Sequence, residues 1–484
     1  MFNINELTHF LLPIGVVRAQ SLVAALLASI LSIGCTVGPD YRRPLPPEVA
    51  SLTRQPEGPG PYSEVRSDWW KAYKSARINL LVEQAFLHNP NVEVGRANLK
   101  TAQELVNAQR GLFFPSVQAG FNTSRQDSGS ILASPLSSNQ TIFNLHTAQV
   151  TVGFVPDVFG GNRRQVESLQ ASATNQLYQW EALKVTLASN VVAAAIQERQ
   201  LTEQISIAEN AIKLAYDQLD KLKTLKASGY SSGLDLAQQQ VSYSQTVALL
   251  PPLQKQIEQT RNLLATLCGQ FPAQQLPGNG AIEAIEGPTE LPKILPSSLV
   301  ERRPDVQAAQ EQLHASFAQI GVATANMLPQ VSLSANLSFN NNVIGGLLSN
   351  ANRSWGLLGG LVQPLFAGGA LRARKRASEA TAEAAFAQYQ TVVLTAFQNV
   401  ADTMYALDAD GRSLLATREV EAANEQLVLH TQMQFDQGYV SRLILLSAQQ
   451  SLLQSQLNRA ATSAAYLGDT VALYQALGGG WRNP

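Results

Sequence analysis

The stretch Gln330 to Asn340, which reads QVSLSANLSFN, decides the fold. Every second residue is apolar and the residues between are Gln, Ser or Asn; the apolar positions are Val331, Leu333, Ala335, Leu337 and Phe339. Because successive side chains of a strand point to opposite faces, this period of two predicts a β-strand with one apolar and one polar face.

The region around this strand occurs twice in the chain. Pro304 and Pro329 each match a proline 214 residues earlier, within the similar stretches Asn89-Pro90-Asn91-Val92 and Arg303-Pro304-Asp305-Val306, and Pro115-Ser116-Val117 and Pro329-Gln330-Val331. Gly229-Tyr230 and Gly269 recur 209 residues later as Gly438-Tyr439 and Gly478. Two fixed spacings in the same order indicate a tandem duplication of units of about 200 residues.

Each unit is predicted to contain a helix, two strands, a very long helix and a returning helix. The expected ranges are 78–111, 116–122, 147–155, 162–228 and 233–267 in the first unit, and 296–325, 330–340, 354–362, 370–437 and 441–477 in the second. Pro251-Pro252 is expected to kink the first returning helix. A helix of 67 residues is about 100 Å long, so the long helices must pack side by side as a coiled-coil-like wall.

The four strands have the length that a tilted strand needs to cross a bilayer. Four strands cannot close a barrel of useful diameter, and an open sheet edge is not tolerated in lipid. We therefore expect other copies of the chain to complete the sheet. The alternative is a soluble four-stranded sheet that covers a helical bundle.

The N-terminus predicts export and a lipid anchor. An apolar run, Ser21 to Gly34, ends in Ser32-Ile33-Gly34-Cys35, as lipoprotein signals do, although Ser32 stands where Leu is commonest. The alternative is an ordinary signal peptide with an incidental cysteine. Cys268, the other cysteine, is expected to be a small buried apolar residue.

Composition and motifs argue against nucleic-acid binding and catalysis. The net charge is -1 and charged residues make up 15% of the chain, so there is no basic excess for phosphate contacts. The sequence shows no metal-ligand spacing, phosphate-binding glycine loop or nucleophile elbow, so we expect a protein that is not an enzyme and has no metal or cofactor. The basic clusters Arg163-Arg164 and Arg372 to Arg376 are expected to be solvated helix ends.

Taken together, these residues resemble the outer-membrane efflux proteins (TolC-like), of the lipoprotein type that serves resistance-nodulation-division pumps. The resemblance covers nearly everything after Cys35 and is carried by Gly38-Pro39-Asp40-Tyr41, Pro44, Asp68-Trp69-Trp70, Asn89-Pro90, Pro329, Pro364-Leu365-Phe366, Gly368-Gly369, Gly438-Tyr439, Leu446 and Ala448-Gln449. It implies a mainly α, tandem-repeat fold with a long α-helical barrel. Four strands per chain would contribute to a shared trimeric transmembrane β-barrel.

The resemblance also implies the function. The chain would be a lipid-anchored outer-membrane exit duct with a long periplasmic helical part. It would form a homotrimer and work passively with a periplasmic membrane-fusion adaptor and an inner-membrane pump on small molecules such as drugs or other toxic compounds. The alternatives are a lipid-tethered periplasmic coiled-coil structural or adaptor protein, and the same fold serving protein secretion.

In this family the gate lies at the periplasmic tips where the helix pairs turn back, here Gly229 to Asp235 and Gly438 to Ser447. The first tip keeps an acidic residue, Asp235, whereas 443–447 carry no carboxylate where the family often has Asp. Our hypothesis is that Asp235, Tyr439 and Arg442 hold the aperture closed. The alternative is that Asp235 only caps a helix.

The predicted organisation has five segments. Residues 1–34 are a lipoprotein signal peptide and 35–66 a lipid-anchored, Pro-rich N-terminal segment. Residues 67–270 form the first repeat, 271–295 an inter-repeat equatorial segment, and 296–480 the second repeat.

Overall fold

The structure is a computed structural model, and it describes residues 36–45, 65–129, 140–274, 276, 285–288, 291–292 and 302–481. Cys35, the signal peptide, most of the inter-repeat segment and the helix predicted over 296–301 lie outside the described residues. The five segment boundaries stay a prediction.

The described elements follow the predicted order. The strands are β1 (Ser116–Asp127), β2 (Ile142–Phe154), β3 (Gln330–Asn341) and β4 (Arg353–Val362). The α-helices are α1 (Ala76–His88), α2 (Pro90–Gly111), α3 (Gly161–Ala227), α4 (Gly233–Ala248), α5 (Leu250–Leu267), α6 (Pro304–Ala325), α7 (Ala370–Asp436) and α8 (Arg442–Ala476). Short 3₁₀ helices span Trp69–Tyr73, Ile344–Gly346 and Asn350–Asn352.

The chain divides into two compact units, each built from both repeats. The first unit comprises residues 1–43, 101–174 and 311–387 and contains the sheet. The second unit comprises 44–100, 175–310 and 388–484 and contains the returning helices. Helices α2, α3, α6 and α7 contribute residues to both units.

The four strands form one antiparallel sheet in the order β1-β2-β3-β4. Val150 on β2 pairs with Ala119 on β1 and with Leu337 on β3, and Leu337 pairs in turn with Trp355 on β4. Every strand therefore neighbours the next in sequence, and the two repeats join where β2 meets β3.

A core of aromatic and aliphatic side chains holds the second unit together. The ring of Trp69 stacks on Tyr474 with 5.0 Å between centroids, and the Tyr73 hydroxyl lies 2.6 Å from the Thr470 hydroxyl. Cys268 is fully buried in this core, as predicted, and burial raises the pKa of its thiol to about 11. Trp69 of the Asp68-Trp69-Trp70 stretch is buried in this core, and so is Val65.

The long helices are confirmed to within one residue at each end, with 67 residues each in α3 and α7. The first returning helix is interrupted, as expected, where α4 ends at Ala248 and α5 begins at Leu250 with prolines in its first turn. Pro lacks a backbone N–H and is tolerated in the first turn, because the N–H groups there have no intrahelical acceptor.

The prediction of one continuous helix over 78–111 is wrong. Asn89 separates α1 from α2 with φ -70° and ψ 121°, because the ring of Pro90 disfavours a helical conformation at the preceding residue. Its side-chain amide donates to the Leu267 carbonyl at 2.9 Å, and its side-chain oxygen accepts from Asn91 N at 2.8 Å. The second repeat has the same break at Arg303, before Pro304, and there Arg303 Nη1 donates to the Ala476 carbonyl at 2.8 Å.

Candidate functional site

One face of the sheet is apolar except for Arg353, which pairs with Phe339 at the β4 edge. The register brings these side chains onto one side: Val117, Ala119, Phe121, Ala148, Val150, Val152, Phe154, Val331, Leu333, Ala335, Leu337, Phe339, Trp355, Leu357 and Leu361. Trp355 and Leu357 are 71% and 76% exposed, so nothing in the described part of the chain covers them. From Val331 to Phe339 this apolar face extends about 26 Å along the strand, comparable to the ~25 Å apolar band of a transmembrane barrel.

The apolar face ends at a polar row near the strand loops. Thr123, His146 and Asn341 occupy the next row of the register, and Thr123 Oγ1 lies 3.1 Å from His146 Nδ1. The aromatic residues Phe121, Phe339 and Trp355 stand beside this limit. Aromatic side chains at the edge of an apolar band suit the boundary between lipid and water.

The opposite face of the sheet is mainly polar. It carries Ser116, Gln118, Asn122, Gln149, Thr151, Ser332, Ser334, Asn336, Ser338 and Asn340, with Phe143, Leu145, Leu358 and Val362 as exceptions. These side chains bond across the strands, as Thr147 Oγ1 donates to Asn340 Oδ1 at 2.9 Å. The two faces confirm the alternation that the sequence predicts, and they suit a sheet between lipid and water.

Both edges of the sheet are open. Within the described part of the chain, β1 pairs only with β2, and β4 pairs only with β3. Each edge strand thus has backbone groups on one side that no other described strand satisfies. In an apolar environment these groups require a partner strand.

The N-terminal segment lies against the turn where β2 leads into α3. Val37 N donates to the Phe159 carbonyl at 3.2 Å, and a Cβ on Gly160 would stand 2.9 Å from Thr36 Cα. Gly160 has φ +76°, so both its conformation and this close approach require glycine. Thr36, the residue after Cys35, is therefore held at the helix end of the sheet.

Arg164 and His314 hold the rest of this segment. Arg164 donates from Nη2 to Asp40 at 2.6 Å and from Nη1 to Glu167 at 2.8 Å, and its side chain is only 6% exposed. The ring of Tyr41 stacks on His314 with 4.4 Å between centroids. The expectation that Arg163-Arg164 is a solvated helix end is wrong for Arg164, because the N-terminal segment folds over it.

His314 is flanked by two acidic side chains. Glu311 lies 3.4 Å from its Nδ1 and Glu167 lies 3.1 Å from its Nε2. Hydrogen bonds to Glu311 and then to Glu167 raise the pKa of His314, against the opposing effect of burial. Sequence reasoning missed this cluster, since no local pattern links residues 40, 164 and 314.

The two helix turns share one backbone geometry. Gly229 has φ +80° and Gly438 has φ +79°. Tyr230 N donates to the Leu225 carbonyl, and Tyr439 N donates to the Gln434 carbonyl, each at 2.9 Å. These are Schellman motifs, in which a left-handed glycine ends the helix and satisfies its last carbonyls.

At the first turn, Asp235 forms a capping box with Ser232. Asp235 N donates to Ser232 Oγ at 3.0 Å, and Ser232 N donates to Asp235 Oδ2 at 3.3 Å. The hydrogen bonds from Ser232, and further away the charge of Arg442, lower the pKa of Asp235. Ser232 was missed as a site residue, although the Ser-x-x-Asp spacing is a readable capping signal.

The second turn is built differently. Ser441 makes no side-chain cap, and the guanidinium of Arg442 lies 5.0 Å from the ring centroid of Phe435. Tyr439 is 78% exposed and projects from the turn. The structure thus brings Asp235 and Arg442 into one neighbourhood without an ion pair within 4 Å in the described residues. It leaves the predicted gating role of Asp235, Tyr439 and Arg442 a prediction.

Among the residues that the structure describes, no group of three or more His, Cys, Asp or Glu side chains could hold a metal ion. Over those same ranges, no helix combines the length and the hydropathy needed to cross a bilayer.

Comparison with known proteins identifies the family. The family model described as outer membrane efflux protein matches residues 81–270 and 295–479. The chain is 31% identical over 419 residues to the pyoverdine export outer membrane protein OpmQ of Pseudomonas putida, covering 86% of this chain and 88% of that protein. It is 28% identical over 461 residues to the solvent efflux pump outer membrane protein SrpC of Pseudomonas putida, covering 93% and 96%.

Among solved structures, the outer-membrane channel OprN superposes with a TM-score of 0.80 at 28% identity, covering 92% of this chain and 99% of that one. The expected TolC-like fold is thereby confirmed. The chain belongs to the outer membrane efflux protein family and is an outer-membrane exit duct of an efflux system.

Proposed function

We propose that three copies of this chain form one closed barrel in the outer membrane, with the paired long helices continuing the conduit into the periplasm. The observation that carries the proposal is the four-stranded sheet with an apolar face on one side and two open edges. Three copies supply twelve strands, and pairing β4 of one copy with β1 of the next satisfies every edge.

A lipid anchor at Cys35 is the second part of this proposal. Thr36 lies against Gly160, six residues beyond the end of β2. If the sheet spans the membrane, the preceding residue is at the level where the acyl chains of the helix-side leaflet begin. Acyl chains attached there reach the bilayer without unfolding the segment over Arg164.

The duct is passive and non-catalytic in this proposal, and it works with a periplasmic adaptor and an inner-membrane pump. The related proteins are named for pyoverdine export and for solvent efflux, which are exports of small molecules. We assign the same class of cargo to this chain. The polar face of the sheet, with its Ser, Thr, Asn and Gln side chains, suits a wet lumen that binds such cargo weakly.

The two turns form the aperture at the far end of the duct. Asp235 and Arg442 are charged, Tyr439 is exposed, and three copies of each would face one another around the trimer axis. Exposed Leu443 and Ile444 add an apolar contribution from the second turn. Attraction between unlike charges and contact between apolar side chains hold the aperture narrow.

Native mass spectrometry of the full-length protein, extracted from envelopes in detergent, tests the assembly and the anchor. We expect a trimer with an acyl increment on each chain, and a Cys35→Ser trimer without it. A wild-type trimer without the acyl increment would reject the lipid anchor and leave the proposed trimeric channel in place. A water-soluble monomer would remove the duct and favour the periplasmic coiled-coil alternative.

Single-channel conductance tests the aperture. We expect Asp235→Ala with Arg442→Ala to raise the conductance in a planar bilayer, because the charged contacts that narrow the aperture are lost. The matched control is Asp408→Ala with Arg412→Ala, which removes an exposed acid–arginine pair of α7 with 2.9 Å between its atoms. Equal conductance in the wild type and both variants would reject the gating role.

A further inference from the structure

The turn between β4 and α7 exposes apolar side chains at the end of the apolar sheet face. Leu365 and Phe366 are 93% and 92% exposed, and they follow Leu361 of β4 by a few residues. Exposure this complete in a large apolar side chain marks a surface that meets something other than water. Exposed apolar side chains therefore continue along the chain from the end of the sheet face into this turn.

Positive charge follows at once in the first turns of α7. Arg372, Arg374 and Arg376 are exposed, and within the described residues none of them has an acidic partner within 4 Å. Lys375, between them, is 3.3 Å from Glu379. Three arginines thus remain without a counter-charge; we call Leu365, Phe366 and these three arginines the junction patch.

The first repeat shows that this charge is not a requirement of the fold. Arg164 stands three residues after Gly161, as Arg372 stands three residues after Gly369. Arg164 is neutralised by Asp40 and Glu167, and its neighbour Arg163 is 3.3 Å from Asp157. Asp157 stands four residues before Gly161, and the second repeat has Leu365 in the matching place before Gly369.

Glu167, the acid three residues beyond Arg164, is matched in the second repeat by Lys375, so the second repeat has an apolar side chain and a lysine where the first repeat has two acids. Apolar groups next to exposed guanidinium groups match the boundary of a bilayer, where acyl chains give way to phosphates. An arginine fork binds phosphate oxygens bidentately, and the free N–H groups at the start of α7 favour an anion in the same place.

We propose that the junction patch binds the headgroup phosphate of an anionic phospholipid in the leaflet on the helix side of the sheet. This inference rests on the proposed placing of the sheet in the membrane. Each basic residue near an anionic lipid surface contributes about a fivefold gain in affinity, so three arginines give on the order of a hundredfold preference.

The test compares lipid retention by native mass spectrometry of the detergent-purified full-length protein with added phosphatidylglycerol or phosphatidylcholine. The variant is Arg372→Gln with Arg374→Gln and Arg376→Gln. The control, Arg96→Gln with Arg412→Gln and Arg418→Gln, removes the same charge from exposed positions elsewhere on α2 and α7. We expect wild type and control to prefer phosphatidylglycerol and the variant to lose that preference on the order of a hundredfold.

A variant that retains the preference would overturn the proposal. It would also be overturned if inorganic phosphate alone stabilised the wild type as much as phosphatidylglycerol does. If the variant does not fold, the salt dependence of the wild type is the test. Its preference for phosphatidylglycerol must fall as ionic strength rises, and a preference independent of salt would show that the arginines do not bind the lipid. Wild type and variants extracted as the same oligomer but without lipid preference would refute this inference and leave the channel standing.

Discussion

The second repeat resembles the first closely at one place and less closely at another. We call the ends of the returning helices the roots, and the turns between the long and the returning helices the tips. At the roots, where the returning helices end, the contacts are duplicated: Asn89 donates to the Leu267 carbonyl and Arg303 to the Ala476 carbonyl. Gly269 lies against the His88 carbonyl and Gly478 against that of Arg302, each with a positive φ.

At the tips, the duplication stops after the glycine. Gly229 and Gly438 end their helices with the same two hydrogen bonds, but only the first tip has a capping box. The roots pack on the chain's own backbone, so a substitution there lowers the free energy of unfolding. Tips are exposed, so their side chains can differ without that cost, and the two tips can supply different chemistry to one aperture.

The largest expected effect separates roots from tips. Gly269→Ala places a Cβ on the His88 carbonyl and Gly478→Ala places one 2.7 Å from the Arg302 carbonyl oxygen, in both cases against backbone that cannot rotate away. We expect each to lower the free energy of unfolding by on the order of 4 kcal/mol, or to prevent assembly. Thermal unfolding of the purified protein measures this, and near-wild-type midpoints would show that the roots tolerate change.

At the tips we expect a smaller loss of stability, of equal size in the two repeats. Nothing lies within 4 Å of a Cβ built on Gly229 or Gly438, so a side chain there costs only the left-handed backbone conformation. Gly229→Ala and Gly438→Ala should each destabilise their turn by about 1–2 kcal/mol. Amide hydrogen exchange of residues 225–236 and 434–445 would measure this destabilisation. A clearly larger increase in exchange at one turn than at the other would show that the two turns are not equivalent.

A carboxylate pair distinguishes the second repeat from the first. Asp469 lies beside Asp410, and the matching positions 209 residues earlier are Thr260 and Leu201, both buried. Burial first, and then the charge of Asp410, raise the pKa of Asp469 from 3.8 to about 6. Protonated Asp469 is thus favoured in the fold, and its contribution to the free energy of unfolding is fully present below about pH 3.8 and lost as the pH rises through about 6.

Asp469→Thr, the residue of the first repeat, should therefore raise the unfolding temperature at about pH 8 by a few degrees and lose this advantage near pH 4. Asp410→Leu is expected to act in the same direction. A gain independent of pH would show that packing, and not the protonation of Asp469, distinguishes the two repeats.

The capping difference gives a smaller effect. Ser232→Ala should cost the first tip about 1 kcal/mol, while Ser441→Ala should cost nothing, because Ser441 makes no side-chain cap. Ile444→Asp should give the second tip the missing box. Local hydrogen exchange measures all three, and a cost at Ser441 equal to that at Ser232 would contradict the difference.

The smallest effect is the response of the tips to acid. The lowered pKa of Asp235 means that its contribution is present above the ordinary value of 3.8 and is lost as the pH falls through its folded value. Exchange at residues 232–236 should therefore accelerate below about pH 4 more than exchange at 441–445. Equal acceleration at both tips would assign the response to something other than the box.

Much of this could be read from the chain because the periodic signals are long. The strict alternation of Gln330 to Asn340 and the unbroken helical stretches predict element type and ends to within a few residues, apart from β1 and β2, which extend further into their loops. The break at Asn89 was missed although the Asn-Pro dipeptide carries the signal for it. Asp235 as a cap was open as an alternative, and the geometry supports it.

By itself, the sequence determined the tandem repeat, the amphipathic strands, the long helices and the glycines that end them, because each depends on neighbours a few residues apart. Only the tertiary structure decided that Asp40 meets Arg164, that Tyr41 stacks on His314, and that both roots use the same carbonyl contacts. These pairs lie more than a hundred residues apart, and no local pattern encodes them. Their partners become visible only once packing excludes water and leaves a buried donor, such as the Arg164 guanidinium, in need of an acceptor.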